Sequence, residues 1–311
     1  MPMNTLKDLL VTQLNELYAA ERRAAKLMPG LSRTVLALRA RHEEPMRITV
    51  NGRPTEMPAA ADAAAVRARV KPGADLVIVN GAVVEGGHPV RDGDEVTLIR
   101  RGEVPAADEL EALMVARHTP GVHARLKRSC GGIAGLGGLG SAVAVALARV
   151  GVGRLVLVDF DVVEPSNLNR QQYFVDQLGM PKTEALAANL RRIQPYVSIE
   201  AHAVRLDAGN VAATFQSIDL LVEAFDRADQ KEMLLEAFSA ARPGVPFVGA
   251  SGVAGHGDTA SIGVRRLGGG VYVVGDLESA AEPGRGLMAP RVGVAAHVQA
   301  NLAVRILLGE A

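Results

Sequence analysis

The chain has 311 residues, 48% hydrophobic and 22% charged, with 34 basic residues balanced by 34 acidic ones. Zero net charge lacks the basic surplus of a non-specific nucleic-acid binder. A single cysteine, Cys130, rules out an internal disulfide and any CxxC metal pair. No apolar run approaches the ~20 residues of a membrane span and no basic-then-apolar signal opens the chain, so a cytoplasmic, reducing setting is expected.

Residues 4–44 read as a helical segment. Leu6, Leu9, Leu10, Leu14, Leu17 and Tyr18 recur at three- and four-residue spacing, and Pro29-Gly30 interrupts the stripe. The stretch LKDLLVTQLNELYAAERRAAKLMP resembles the first helix of a small ferritin-like family, the YciE/YciF type. A di-iron site needs carboxylates from four helices, so Glu16 and Glu21 are expected on the surface of a docking or dimerising helix.

From Pro45 the texture changes. MRITVNGRPTEM predicts strand, turn and strand, with Asn51-Gly52 as the hairpin signal. An Ala-rich helix follows over about 59–70. DLVIVNGAVV then brings a second Asn-Gly, and VRDGDEVTLI a closing strand. The predicted elements make residues 45–102 a β-grasp domain. It resembles the ubiquitin-like sulfur carrier ThiS, whose last turn also reads DGD. Such a carrier offers a free Gly-Gly carboxylate, whereas here Arg100-Arg101-Gly102-Glu103 runs on into a predicted linker helix, residues 103–128. The resemblance therefore implies a domain that docks or regulates and is not itself the substrate.

Residues 129–311 alternate strand and helix. RLVLVDF, IDLLVEAFD and VPFVGAS are apolar strands of the buried parallel kind. Helices are expected at 182–193, 228–241 and about 292–308, with an antiparallel portion in HGDTASIGVRR and GGGVYVVGD. The fold class is α/β: a doubly wound, Rossmann-like, mostly parallel sheet behind an N-terminal β-grasp domain and helical segment. In SCGGIAG two glycines replace apolar residues, which is expected to weaken the first strand.

The stretch GIAGLGGLGS satisfies GxGxxG through Gly135, Gly137 and Gly140, and Asp159 follows nineteen residues after the last glycine. Taken alone this pattern suits a nicotinamide dehydrogenase. It calls for a nucleotide with its phosphates on a helix N-terminus. The next motifs shift the reading. VDFDVVEPSNLNRQQYF sets Asp159, Asp161, Asn167, Asn169, Arg170 and Gln171 after one strand, GMPK puts Lys182 at a helix start, and EAFDR puts Asp226 after the next strand. So many phosphate-directed groups suit chemistry at phosphorus, where charge on departing pyrophosphate needs fixed donors.

The series GxGGxG with Gly138, VDFDVVEPSNLNRQ, PK and a strand-end Asp resembles the ThiF/MoeB family, relatives of the ubiquitin-activating enzymes, over about residues 112–308. It looks closest to shorter ThiF variants with a ThiS-like domain in front. The resemblance implies ATP- and magnesium-dependent adenylation of the C-terminal glycine of a separate ThiS-like carrier, for sulfur transfer in thiamine biosynthesis. Asp159 would hold the ribose and Asn167 would sit near the phosphates. Arg170 and Lys182 would stabilise the α-phosphate and pyrophosphate, Lys182 being free to reach them, and Asp226 would bind magnesium. Asp161 stays open between ligand contact and loop structure. The resemblance also implies a homodimer with an arginine supplied across the interface, Arg117 or Arg125. The family's CxxC zinc site is missing and Cys130 is expected to be buried, so no zinc and an external sulfur donor follow. Three other readings stay open: a tRNA threonylcarbamoyladenosine dehydratase-like activator, which zero net charge disfavours, a molybdopterin carrier adenylyltransferase, and a non-catalytic carrier-binding scaffold.

Overall fold

The computed structural model describes residues 14–16 and 45–311. The helical reading of residues 4–44 therefore lies outside the described residues, apart from 14–16. These three are helical and exposed, Glu16 among them. The chain divides into two compact units after Arg117.

The first unit contains β1 (Met46–Val50), β2 (Arg53–Met57), α1 (Ala63–Val70), β3 (Leu76–Val79), β4 (Ala82–Val84), β5 (Glu95–Ile99) and α2 (Ala107–Met114). The sheet order is β2-β1-β5-β3-β4, with β1 and β5 parallel at its centre and the other pairs antiparallel. This is the β-grasp arrangement. Both Asn-Gly turns use the left-handed region, with φ of 48° and 78° at Asn51-Gly52 and 48° and 84° at Asn80-Gly81. The helix begins four residues later than expected because Asp62 caps it, accepting from the Ala65 amide at 2.8 Å. Alternate residues of the strands, including Ile48, Val50, Val77, Val79, Val96 and Leu98, bury one face together with Val66 of α1. Each such side chain contributes about 1.5–3 kcal/mol.

After β5 the chain turns at Gly102, φ 76°, and enters α2. Lys71 Nζ lies 3.0 Å from Glu103 and 3.4 Å from Glu109, and Asn51 Nδ2 also donates to Glu109. Arg101 N donates to Asp75 at 2.8 Å. The end of β5 is therefore clasped to its own domain.

The second unit contains α3 (Val122–Leu126), β6 (Cys130–Ala134), α4 (Gly138–Arg149), β7 (Arg154–Val158), α5 (Lys182–Ile193), β8 (Ser198–His202), α6 (Val211–Thr214), β9 (Leu220–Glu223), α7 (Ala228–Ala241), β10 (Phe247–Ala250), β11 (Gly263–Gly268), β12 (Val271–Gly275) and α8 (Ala289–Leu307). Its seven-stranded sheet runs β11-β12-β10-β9-β6-β7-β8, parallel throughout except for the antiparallel edge strand β11. Ile133, Leu155, Leu157 and Val222 pack on one face with residues of α4, α5 and α8. Val156, Val158 and Leu221 pack on the other with Phe215 and Phe238.

The expected weakness of β6 is corrected by this packing. It is a fully buried interior strand, paired on both sides by β9 and β7. A Cβ at Gly132 would stand 2.7 Å from Ile218 and 3.0 Å from Phe215, whose side chains already fill that space. Thr119-Pro120-Gly121 separates α2 from α3, with Gly121 at φ 78°. Successive strands run outward from β6 in one direction as β7 and β8, and in the other as β9, β10 and β12. The reversal leaves a crevice at the strands' C-terminal ends, where open α/β sheets hold their ligands.

Candidate functional site

That crevice is a cavity of about 810 Å³ belonging wholly to the second unit. The Gly loop between β6 and α4 forms its floor. Gly135 has φ 88°, and a Cβ there would lie 2.9 Å from the Ala224 carbonyl oxygen. A Cβ on Gly140 would lie 1.9 Å from the Gly135 oxygen, so α4 can approach the turn only with glycine there. Gly137 is the N-cap of α4, and Gly138 is its first residue. The cavity is lined by Gly135, Gly137 and Gly138, beside a helix end that favours anions.

Asp159 follows β7 and folds back over the loop, accepting from the Leu136 amide at 2.6 Å and the Asp161 amide at 2.8 Å. Burial pushes its carboxyl upward, against the pull of those amides and Lys182. Asn167 is buried in a 3-10 turn started by Pro165, and its Oδ1 accepts from the Glu164 amide at 3.1 Å while its side chain also borders the cavity. The turn-forming use of this asparagine is thus present beside its cavity position. Arg170 donates from Nη1 to the Ser166 carbonyl at 3.1 Å and to Asn169 Oδ1 at 2.7 Å. Its Nε, and Oε1 of buried Gln171 beside it, have no hydrogen-bond partner. Orphaned buried polar atoms in a cavity wall are what a polar ligand would satisfy.

Lys182 begins α5, and the expectation of a free lysine needs correction. Its side chain is buried and its Nζ lies 3.1 Å from Asp161 Oδ2, because an ammonium removed from water requires a partner. Asp161 is thereby placed as the counter-ion of Lys182. Asp226 lies exposed after β9 on the cavity wall. Arg125 donates to the Leu308 carbonyl within its own chain, while Arg117 is exposed in the first unit. Cys130 is buried, and burial pushes its thiol up, with Arg154 Nε 3.1 Å from its sulfur.

Sequence reasoning missed two largely buried ion pairs, one reaching the cavity wall through Lys231 and one next to lining residues 277–279. Glu223 ends β9 and pairs with Lys231 at 2.7 Å. Arg291 pairs with Asp276 at 2.6 Å and also donates to the carbonyls of Gly257 and Asp258, tying down the loops after β10 and β12. A carboxylate closing the apolar run LLVE was the visible signal for the first; an aspartate in the loop after β12 and an arginine fifteen residues on in α8 gave none for the second. Phe160 is also exposed beside the cavity, with the Arg205 guanidinium 5.4 Å from its ring.

Among the described residues no cluster of three or more His, Cys, Asp or Glu side chains is placed to hold a metal ion. A magnesium ion here would have to be shared between Asp226 and ligand phosphates, a sparing use of protein ligands that suits that ion. Among the described residues no helix is long and apolar enough to cross a membrane.

The ThiF family model matches residues 111–311, and a ThiS-like ubiquitin model matches residues 46–102. The Escherichia coli molybdopterin-synthase adenylyltransferase is 34% identical over 183 residues, 57% of this chain and 72% of that protein. The Haloferax volcanii SAMP-activating enzyme E1 is 44% identical over 103 residues, 33% of this chain and 38% of that protein. The sulfur carrier protein adenylyltransferase of Thermus thermophilus is 38% identical over 114 residues, 36% of this chain and 42% of that protein. The chain thus spans less than half the length of most of these relatives. Among solved structures, the E. coli tRNA N6-threonylcarbamoyladenosine dehydratase TcdA in complex with ATP superimposes with a TM-score of 0.59 at 22% identity, over 67% of this chain and 98% of that one. E. coli MccB with ATP gives 0.51 at 21%, over 68% and 65%. These two likenesses are of fold. With a Gly loop, a strand-end aspartate and the Asn-Arg-Lys-Asp series on one cavity, and the family model matched across that whole unit, the chain belongs to the ThiF family.

Proposed function

We propose that the chain is an adenylyltransferase that activates the C-terminal glycine carboxylate of a separate ubiquitin-like sulfur carrier at the expense of ATP. The observation that carries this reading is the single cavity that collects the Gly loop, Asp159, Asn167, Arg170, Lys182 and Asp226. The names of two relatives, a molybdopterin-synthase adenylyltransferase and a sulfur carrier protein adenylyltransferase, and the ATP-bound fold neighbours support it. Residues 129–311 would form the adenylation domain. The β-grasp domain matches the carrier's own family, which favours a carrier partner over tRNA.

In this reading the ribose hydroxyls donate to Asp159 and the phosphates lie on the amides at the start of α4. A carrier carboxylate oxygen bonds to the α-phosphorus. The bond from that phosphorus to the bridging oxygen breaks, and pyrophosphate leaves with the electron pair. No general base is needed, because a glycine carboxylate is ionised at pH 7. Arg170 stabilises the charge at the α-phosphate. Lys182 is held at the cavity wall by Asp161 and exchanges that carboxylate for a phosphate oxygen. Magnesium, held by Asp226, would neutralise phosphate charge when bound. Most of the catalysis is positioning and electrostatics.

We take the thiamine carrier ThiS as the substrate, an external donor as the source of sulfur, and a homodimer as the working state. The test is exchange of labelled pyrophosphate into ATP with added ThiS or a molybdopterin-type carrier. Exchange should need the carrier and disappear in Asp226→Ala and Arg170→Ala. Exchange unaffected by both substitutions would overturn the site, and AMP labelling of this chain itself would overturn the reading of its β-grasp domain as a non-substrate.

A further inference from the structure

Glu223 is the one charged residue in the apolar strand β9 and is 2% exposed. A charge so placed requires a partner, and losing that partner is costly. Lys231, in the first turns of α7, supplies it at 2.7 Å and also donates to the Ala250 carbonyl at 2.9 Å. Glu223 accepts from the Phe225 amide at 2.6 Å, and its own carbonyl accepts from buried Gln299 at 3.1 Å. The pair is therefore anchored to β9, β10, α7 and α8, and the mechanism above leaves it unused.

An ammonium group carries three donors, and two of Lys231's are taken. Its side chain is 26% exposed and lines the cavity. The sheet order indicates what the third donor meets. The Gly loop and Asp159 follow β6 and β7, so the nucleoside side of the cavity lies there. Lys231 stands over the ends of β9 and β10, on the opposite flank, beside Ser251 and Gly252. A second reactant approaching the α-phosphate across from the ribose would come over these strands.

We propose that Lys231 binds the terminal carboxylate of the acyl substrate, and that Glu223 is the positioning residue that fixes its Nζ. The proposal rests on the adenylation reading and adds the acceptor's binding group to it. One carboxylate oxygen accepts from Lys231 while the other attacks phosphorus, so no proton moves. The contact exists before reaction, so its loss falls mainly on the carrier's KM. A hydrogen bond between charged groups corresponds to about ten- to hundredfold.

The test uses the full chain, ATP–pyrophosphate exchange with a ThiS-type carrier ending in free Gly-Gly, and ATP affinity by calorimetry. Lys231→Gln should raise the carrier KM about ten- to hundredfold and leave kcat within about threefold and ATP affinity within about twofold. Lys231→Arg should recover most of the loss. The double variant Glu223→Gln/Lys231→Met leaves no unpaired buried charge and should keep the fold while showing the same KM defect. A carrier ending in a carboxamide should compete less well than the acid against the native protein, and equally well against Lys231→Gln. An unchanged carrier KM in folded variants, or ATP affinity falling in step with it, overturns the proposal. Absence of carrier-dependent exchange in the native protein overturns the adenylation reading first, and this inference with it.

Discussion

Replacing Gly140 by alanine tests whether the phosphate cradle depends on backbone contact. The added methyl would stand 1.9 Å from the Gly135 carbonyl oxygen and 3.2 Å from the Ala224 Cβ. A carbon–oxygen contact relaxes at about 3.3 Å, so the start of α4 and the Gly135 turn must part by roughly 1.4 Å. Alanine gains about 1 kcal/mol of helix propensity, and overpacking costs about 1–3 kcal/mol. The opposing atom is backbone and cannot swing aside, so the overpacking cost falls at the upper end of that range. The balance is a net loss of about 2 kcal/mol or more, several degrees in Tm for a unit of this size. Function should suffer far more, because an ångström of misplacement at a reacting group costs about a hundredfold. Two neighbours calibrate the effect. A Cβ at Gly138 would meet the movable side chains of Val292 at 2.9 Å and Arg170 at 3.3 Å, and at Gly137 the nearest atom is Gln171 Nε2 at 3.9 Å. Thermal melting should therefore rank Gly140→Ala as most destabilised and Gly137→Ala as unchanged, with calorimetry reading ATP affinity alongside. Gly140→Ala at native Tm, with pyrophosphate exchange within about threefold of the native rate, would refute the argument from contact.

Three further outcomes are expected. Gly132→Val should overpack the space held by Ile218 and Phe215 and cost about 1–3 kcal/mol or more in chemical denaturation, with no specific effect on ATP affinity. Asp276→Asn should cost about 3 kcal/mol at pH 7 by stranding buried Arg291. Burial opposes the charge of Asp276, but the Ser279 hydroxyl and amide, the Glu278 amide and Arg291 outweigh it and hold the carboxyl well below the usual range. Its contribution is therefore present above the unfolded value near 4 and is lost as pH falls below that, so native protein and variant should converge in acid. Asp159, raised by burial, can accept from both ribose hydroxyls, and accepts most strongly, only when ionised. ATP affinity should then fall as pH drops through a range above the usual carboxylate value, and Asp159→Asn should show weak binding without that pH step, as read by calorimetry from pH 8 to pH 5.

Much of the fold was legible because it is local. Asn-Gly turns, apolar strands of four or five residues and the boundaries of α5 and α7 follow from neighbouring residues. The strand β8, SIEAH, was missed because its half-buried polar residues lack the apolar run of a buried strand. That the candidate residues would share one cavity was legible where a polar residue type follows a buried strand, as with Asp159 and Asp226. It was not legible where a side chain's partner is fixed only in three dimensions. Lys182 looked free until Asp161, twenty-one positions away, came within 3.1 Å of it. Gly132 looked like a defect until Phe215 arrived from a distant loop to occupy its space.

The clasp after β5 turns the end of the β-grasp sheet into an opening equilibrium. Releasing Glu103 and α2 means breaking the contacts of Lys71 and Asn51. The two ion pairs of Lys71 are worth only about 0.2–1 kcal/mol each and the Asn51–Glu109 hydrogen bond about 1.5–3 kcal/mol, so local opening should appear as amide exchange faster than that of the sheet. Yet opening uncovers only another peptide bond, where a carrier would present an acid. In the proposed reading the end of this domain is no substrate because the chain continues covalently through it, and the clasp would govern only how often that segment is exposed.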